Sequence, residues 1–128
     1  MEFADTDAAL MVHFSAFFRY MEEAEHAAWR RSGLEIYQPA SGHTWPRISA
    51  QFDFKSPLRF QDEVEIRTEI AAVTRSTIKW AHTFMRGDTL IGSGSVTVVY
   101  VRQQPDGSMK SAEIAPEIIS KLRSAVAG

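Results

Sequence analysis

The spacing of apolar residues changes near residue 48 of this chain, and that change decides most of what it can fold into. Up to Gly33 they recur every three to four residues; from Ile48 they recur every second residue. The first period is one face of a helix and the second is one face of a strand. The helical stretch runs from about Ser15, a residue type that suits an N-cap, to Ser32. Phe17, Phe18, Met21, Ala24 and Ala28 would form its buried stripe, with Glu22, Glu23 and Glu25 on or near the other face. Arg30 and Arg31 fall in the last turn, where cations suit the helix dipole, and Gly33 supplies a left-handed stop.

Leu34 to Trp45 reads as a loop punctuated by Pro39 and Gly42, with Pro46 following it. Ile48, Ala50, Phe52 and Phe54 then alternate with polar residues, which predicts a strand. A bend follows around Pro57. Val64, Ile66, Thr68 and Ile70 mark a second strand, and Ile78, Trp80, His82 and Phe84 a third. Arg86-Gly87-Asp88 is a tight hairpin turn. Thr89 to Arg102 is a long fourth strand whose Gly92 and Gly94 predict curvature, a bulge or a close backbone approach. Pro105 to Gly107 is another turn. Pro116 to Val126 is a closing helix with Pro116 in its first position and Ile118, Ile119, Leu122 and Val126 on its apolar face. Consecutive hairpins imply an antiparallel sheet. An apolar helix must bury its stripe against that sheet, so the pattern predicts an α+β protein with a curved sheet on a helix.

A length of 128 residues predicts one domain over 1–128. The net charge of −2 favours neither nucleic acid nor an anionic membrane as a partner. There is no cysteine, which excludes disulfides, thiol nucleophiles and cysteine zinc sites. His13, His26, His43 and His82 have no metal-ligand spacing. No apolar run approaches membrane-spanning length, and the N-terminus lacks the order of a signal peptide, so a cytoplasmic protein is expected.

Asp5-Thr6-Asp7-Ala8, Val12-His13-Phe14, Phe17 and Glu22 to Ala24, with Phe3 as a leading aromatic, stand just before and within the first helix. Together with Trp45 to Ile66, "WPRISAQFDFKSPLRFQDEVEI", they resemble the 4-hydroxybenzoyl-CoA thioesterase-like family. The resemblance covers nearly the whole chain. It implies a hot-dog fold, a curved antiparallel sheet wrapped around a long central α-helix, preceded by a short strand at Met1 to Phe3. It implies hydrolysis of an acyl-CoA or acyl-carrier-protein thioester, with coenzyme A part of the substrate and no other cofactor. By position, Asp7 matches the catalytic aspartate and the Phe14 N–H the oxyanion donor. Arg75 matches a basic residue near the coenzyme A phosphates. It also implies a homodimer or homotetramer, with sheets joined edge to edge and the site between subunits. Two positions depart from the family pattern. Ala9 and Leu10 stand where a glycine is usual, and Phe14 stands where some relatives carry a catalytic histidine, one residue after His13.

The chemistry asks for a base or nucleophile, donors for the developing oxyanion and a dry acyl slot. A carboxylate serves covalently or by activating water. The first free N–H groups of a helix serve as donors. Asp7 is the candidate base or nucleophile, against the plain reading of a turn residue. Asp5 reads as structural, able to satisfy loop N–H groups. His13 is a candidate for contact with substrate or a loop aromatic; Glu22 is a candidate to orient water or a solvated carboxylate. Ser56, in the Lys-Ser-Pro bend, is a substrate-binding candidate, although neither it nor Ser49 has a visible base partner. The competing functions are a non-catalytic acyl or coenzyme A binding protein and a hot-dog hydratase. The hydratase needs a His and acid pair that is not visible here.

Overall fold

The computed structural model describes residues 2, 5–7 and 10–127. Its elements run α1 (Ala16–Ser32), β1 (His43–Thr44), β2 (Arg47–Phe54), β3 (Glu65–Val73), β4 (Thr77–Arg86), β5 (Thr89–Val99), β6 (Val101–Gln103), β7 (Met109–Ser111) and α2 (Pro116–Ala127). The main sheet is antiparallel in the order β2-β5-β4-β3; a smaller sheet has the order β1-β6-β7. The four expected strands and two helices are present, so the α+β reading holds. The short strand expected over Met1 to Phe3 falls on residues of which only Glu2 is described. Phe3, Ala8 and Ala9 of the motif also lie outside the described residues.

α1 lies along one face of the main sheet and runs antiparallel to β2. Phe17 packs on Phe52, Phe54 and Phe84, with ring centroids 4.9, 5.3 and 5.7 Å away. Further along, Glu25 meets Arg47 at the start of β2, and Trp29 meets Trp45 just before it at 5.3 Å. β4 supplies the sheet's buried side: Ile78, Trp80, His82 and Phe84 are all buried, one per two residues. Each apolar side chain so enclosed contributes about 2 kcal/mol or more relative to exposure. The helix is 17 residues, roughly 26 Å, and not the long element expected.

Three details correct the sequence reading of α1. Ser15 stands at the N-cap position as expected, but it already has helical angles, φ −67° and ψ −25°, and its side chain makes no capping bond. Its hydroxyl is engaged with His13 instead. Glu25, assigned to the wet face, is 1% exposed. The buried seam follows Phe17, Met21, Glu25 and Ala28, with Tyr20 and Trp29 beside it, while Phe18 and Ala24 are only half-buried. An i, i+4 seam admits a carboxylate here because Arg47 reaches it at 3.4 Å.

β2 is an edge strand, so its alternation does not appear as burial: of its eight residues only Phe52 is better than exposed. Gly92 and Gly94 let β5 accept the Phe52 ring. A Cβ at Gly92 would stand 2.5 Å from that ring, and one at Gly94 2.6 Å from it and 2.7 Å from Met21 Sδ. The expected fourth strand breaks at Tyr100 into β5 and β6. β1 and β7 are too short to show a period: β1 lies in the stretch expected to be a loop, and β7 follows the expected turn at Pro105 to Gly107.

Candidate active site

Two backbone features place the site. The chain before α1 doubles back on itself: the Asp7 N–H donates to the Met11 carbonyl at 2.8 Å, and the Leu10 N–H to the Asp7 carbonyl at 2.9 Å. Thr6 faces Val12 across this hairpin. The returning leg is then stitched to the bend after β2, with Val12 N–H to Leu58 carbonyl at 2.7 Å and Phe60 N–H to Leu10 carbonyl at 2.8 Å. Leu10 takes φ +61°, a left-handed conformation that suits glycine. This gives a physical reason for the glycine usual there, and for treating its loss as strain.

A cavity of about 310 Å³ opens between the hairpin, the first turn of α1 and the bend. Met11, Val12, Phe14, Phe17 and Phe54 make it apolar and largely aromatic; Lys55 and Ser56 add polar groups at the bend. The Asp7 carboxylate is tied to one of these lining residues, its Oδ1 accepting the Met11 N–H at 3.2 Å. The Phe14 ring is 62% exposed, an unusual state for an aromatic at a cavity mouth. Its N–H has no backbone acceptor among the described residues, whereas those of Ala16, Phe17 and Phe18 turn back onto His13, Phe14 and Ser15 carbonyls. The structure therefore brings Phe14 and Ser56 around one apolar space, with Asp7 bonded to Met11 beside them.

His13 is next to this group but is turned to its neighbours. Its Nδ1 lies 2.8 Å from Ser15 Oγ and 3.3 Å from the Ser15 N–H, and its ring tilts against Phe14 at 4.6 Å. Glu22 and Arg75 are not brought to the cavity within one chain. Glu22 stands beside Arg47 at 3.5 Å, just before the middle of α1. Arg75 is exposed in the turn between β3 and β4. In register, Phe54 faces Gly92 while the Arg75 turn is level with Val99, seven residues or roughly 23 Å along β5.

Sequence reasoning missed the side chains that hold the hairpin. The Asp5 carboxylate accepts from the Glu2 N–H at 2.8 Å, from the Tyr20 hydroxyl at 2.8 Å and from Arg19. The Glu2 N–H, with help from Tyr20 and Arg19, holds its acidity at about 2. Burial, with donation to Asp5, pushes the Tyr20 hydroxyl up. These partners are 14 and 15 residues from Asp5, and no local pattern announces them. Burial also pushes the Glu25 carboxyl up, against the pull of Arg47. Among the described residues no three His, Asp or Glu side chains are placed to hold a metal ion, and no helix is long and apolar enough to cross a membrane.

Comparison with known proteins identifies the family and the fold. Residues 1–122 match the family model of the thioesterase-like superfamily. A hypothetical protein from Thermus thermophilus superposes with a TM-score of 0.82 at 25% identity, covering 98% of this chain and 94% of that one. A gentisyl-coenzyme A thioesterase superposes with a TM-score of 0.78 at 26% identity, covering 95% and 94%. A 4-hydroxybenzoyl CoA thioesterase, solved with 4-hydroxybenzoyl CoA bound, superposes with a TM-score of 0.84, covering 95% and 93%; at 18% identity that likeness is one of fold.

Proposed function

The chain belongs to the thioesterase-like superfamily of hot-dog thioester hydrolases, and from that premise we propose that it hydrolyses an acyl-CoA to the free carboxylic acid and coenzyme A. The observation that carries this reading is the Asp7 hairpin set beside the first turn of α1 over an aromatic cavity. The acyl group occupies the cavity, and Phe54 and Phe17 exclude water from it. Its carbonyl oxygen accepts from the Phe14 N–H, where negative charge develops. The Asp7 carboxylate attacks the carbonyl carbon, or takes a proton from a water that does. Collapse of the tetrahedral adduct breaks the C–S bond, and the thiolate leaves without strong acid assistance. On the covalent route a water then cleaves the anhydride, releasing the acid and returning the carboxylate. Ser56 and His13 contact the substrate at the rim, and no further cofactor takes part.

Residues 1–128 act as one hot-dog unit, with α1 as the helix that the sheet wraps, in a homodimer or homotetramer in the cytoplasm. Support for the dimer comes from β2, an edge strand exposing Ile48 and Phe54. An unpaired edge is a template for a second copy. Antiparallel pairing of two β2 strands would set the Arg47 end of one against the Phe54 end of the other. Arg75 and Glu22 lie toward the Arg47 end, so they reach a cavity only across such a dimer, Arg75 toward the coenzyme A phosphates.

Free-thiol release from a panel of short, long and aromatic acyl-CoAs tests the reading. Wild type is expected to turn over at least one of them, and Asp7→Asn to lose about 100-fold or more in kcat. An inert wild type that binds acyl-CoA in a calorimeter would instead establish a binding protein. Turnover only of acyl-carrier-protein thioesters would move the substrate to that class. Undiminished turnover in Asp7→Asn would shift the chemistry to His13 or Glu22.

A further inference from the structure

We infer that Asp5 is the positioning residue for Asp7, tying the outgoing leg of the hairpin to the second turn of α1 through Tyr20 and Arg19. The inference rests on the reading of Asp7 as base or nucleophile and adds the device that aims it. The hairpin has two legs with different supports. Met11 and Val12, on the returning leg, are held by backbone bonds to the bend at Leu58 to Phe60. The outgoing leg is joined to the returning one at Thr6 and Val12, and by the His13 N–H to the Asp5 carbonyl at 2.6 Å. The Asp5 carboxylate ties this leg to α1, gathering donors from Arg19 and Tyr20 as well as from the Glu2 N–H.

That tie is rigid for physical reasons. Tyr20 is buried on the inner side of α1 and has few rotamers open to it. Arg19 is braced a second time by Glu23 at 3.2 Å, one turn further on. Charge-assisted bonds are shorter and more directional than neutral ones, so three donors on one carboxylate leave little freedom. Asp5 thus acts from one side of Thr6 and Asp7 sits on the other, two residues away. Release of Asp5 loosens the leg that carries Asp7 from α1 and leaves it held through its bonds to Met11, Val12 and His13, while the cavity's lining residues on α1 and the bend keep their own supports. The expected consequence is misplacement of the reacting carboxylate with little change in substrate binding. A shift of about 1 Å in a reacting group costs on the order of 100-fold in rate.

Steady-state thiol release and thermal melting on the full chain test this with wild type, Asp7→Asn, Asp5→Asn, Tyr20→Phe and Leu122→Ala. The last is a destabilised control in the buried part of α2. Asp5→Asn is expected to lose about 10- to 100-fold in kcat with KM within about threefold. Tyr20→Phe should lose in the same direction by less, and Leu122→Ala should keep its kcat while melting earlier. Wild-type kcat in Asp5→Asn and Tyr20→Phe, beside an inactive Asp7→Asn, would overturn the positioning role alone. So would a raised KM at unchanged kcat. If Asp5→Asn does not fold, Tyr20→Phe decides by the same criterion. Wild-type turnover in Asp7→Asn, or none in wild type, would overturn the underlying assignment and this one with it.

Discussion

Acid should weaken this fold through one histidine. His82 lies in the middle of β4 with no exposed surface, between Trp80 and Phe84 on the helix-facing side of the sheet. Its Nδ1 is 3.0 Å from the Thr68 hydroxyl, and its Nε2 is buried with no hydrogen-bond partner among the described residues. A proton added there would create a desolvated cation with no acceptor on Nε2, and burial accordingly pushes the group down from 6.5 to about 4. The unfolded chain takes up the proton near pH 6.5 and the folded chain only near 4. Between those values the unfolded state binds more protons, so stability present above pH 6.5 is lost as pH falls toward 4. The whole window amounts to about 3 kcal/mol, and about 2.5 kcal/mol of it lies between pH 7.5 and 4.5. Urea unfolding at a series of pH values, for wild type and His82→Leu, measures it. Leu is apolar and does not titrate, so carboxylate contributions common to both proteins cancel in the difference. Those include Asp5, whose lowered pKa acts at lower pH, and Glu25, whose raised pKa acts in the opposite direction. Wild type should lose about 2.5 kcal/mol more than His82→Leu over that range. Parallel pH curves for the two proteins would refute the reasoning.

Two further perturbations probe strain and charge at named positions. Leu10→Gly should relieve a left-handed residue and raise stability by about 1 kcal/mol net of lost side-chain contact, read as a higher midpoint in urea; a lower midpoint would mean that Leu10 packing outweighs its strain. Arg47→Leu should cost about 3 kcal/mol at neutral pH by leaving the Glu25 carboxylate buried without its counter-charge, and adding Glu25→Gln should recover much of that; additive losses in the double variant would show that the two side chains are not coupled.

Much of this architecture was legible before any coordinates. The change of period near residue 48 announced one helix and an antiparallel sheet, because a strand or helix with one buried face must repeat apolar residues at its own pitch. Gly33 and Pro116 marked helix ends, since the backbone angles needed there suit few other residues. Gly92 and Gly94 signalled a close approach, which proved to be the Phe52 ring. The Asp7 motif led to the hairpin at the mouth of an aromatic cavity. These are local properties: each rests on residues within a turn or two of one another.

What the sequence could not decide depends on distances along the chain that no periodicity encodes. Burial of Glu25 followed from Arg47, 22 residues later, and the anchoring of Asp5 from Tyr20, 15 residues later. The Ser15 hydroxyl at the N-cap position bonds a histidine ring two residues before it and not the helix, a choice between two local hydrogen bonds that residue type does not settle. Ser56 came to the cavity while Arg75 went to the other end of the sheet, because strand register set the span between them. Local chemistry determined which elements form and where they stop. Only the tertiary structure, through the register of strands and the pairing of remote charges, decided which side chains share a site.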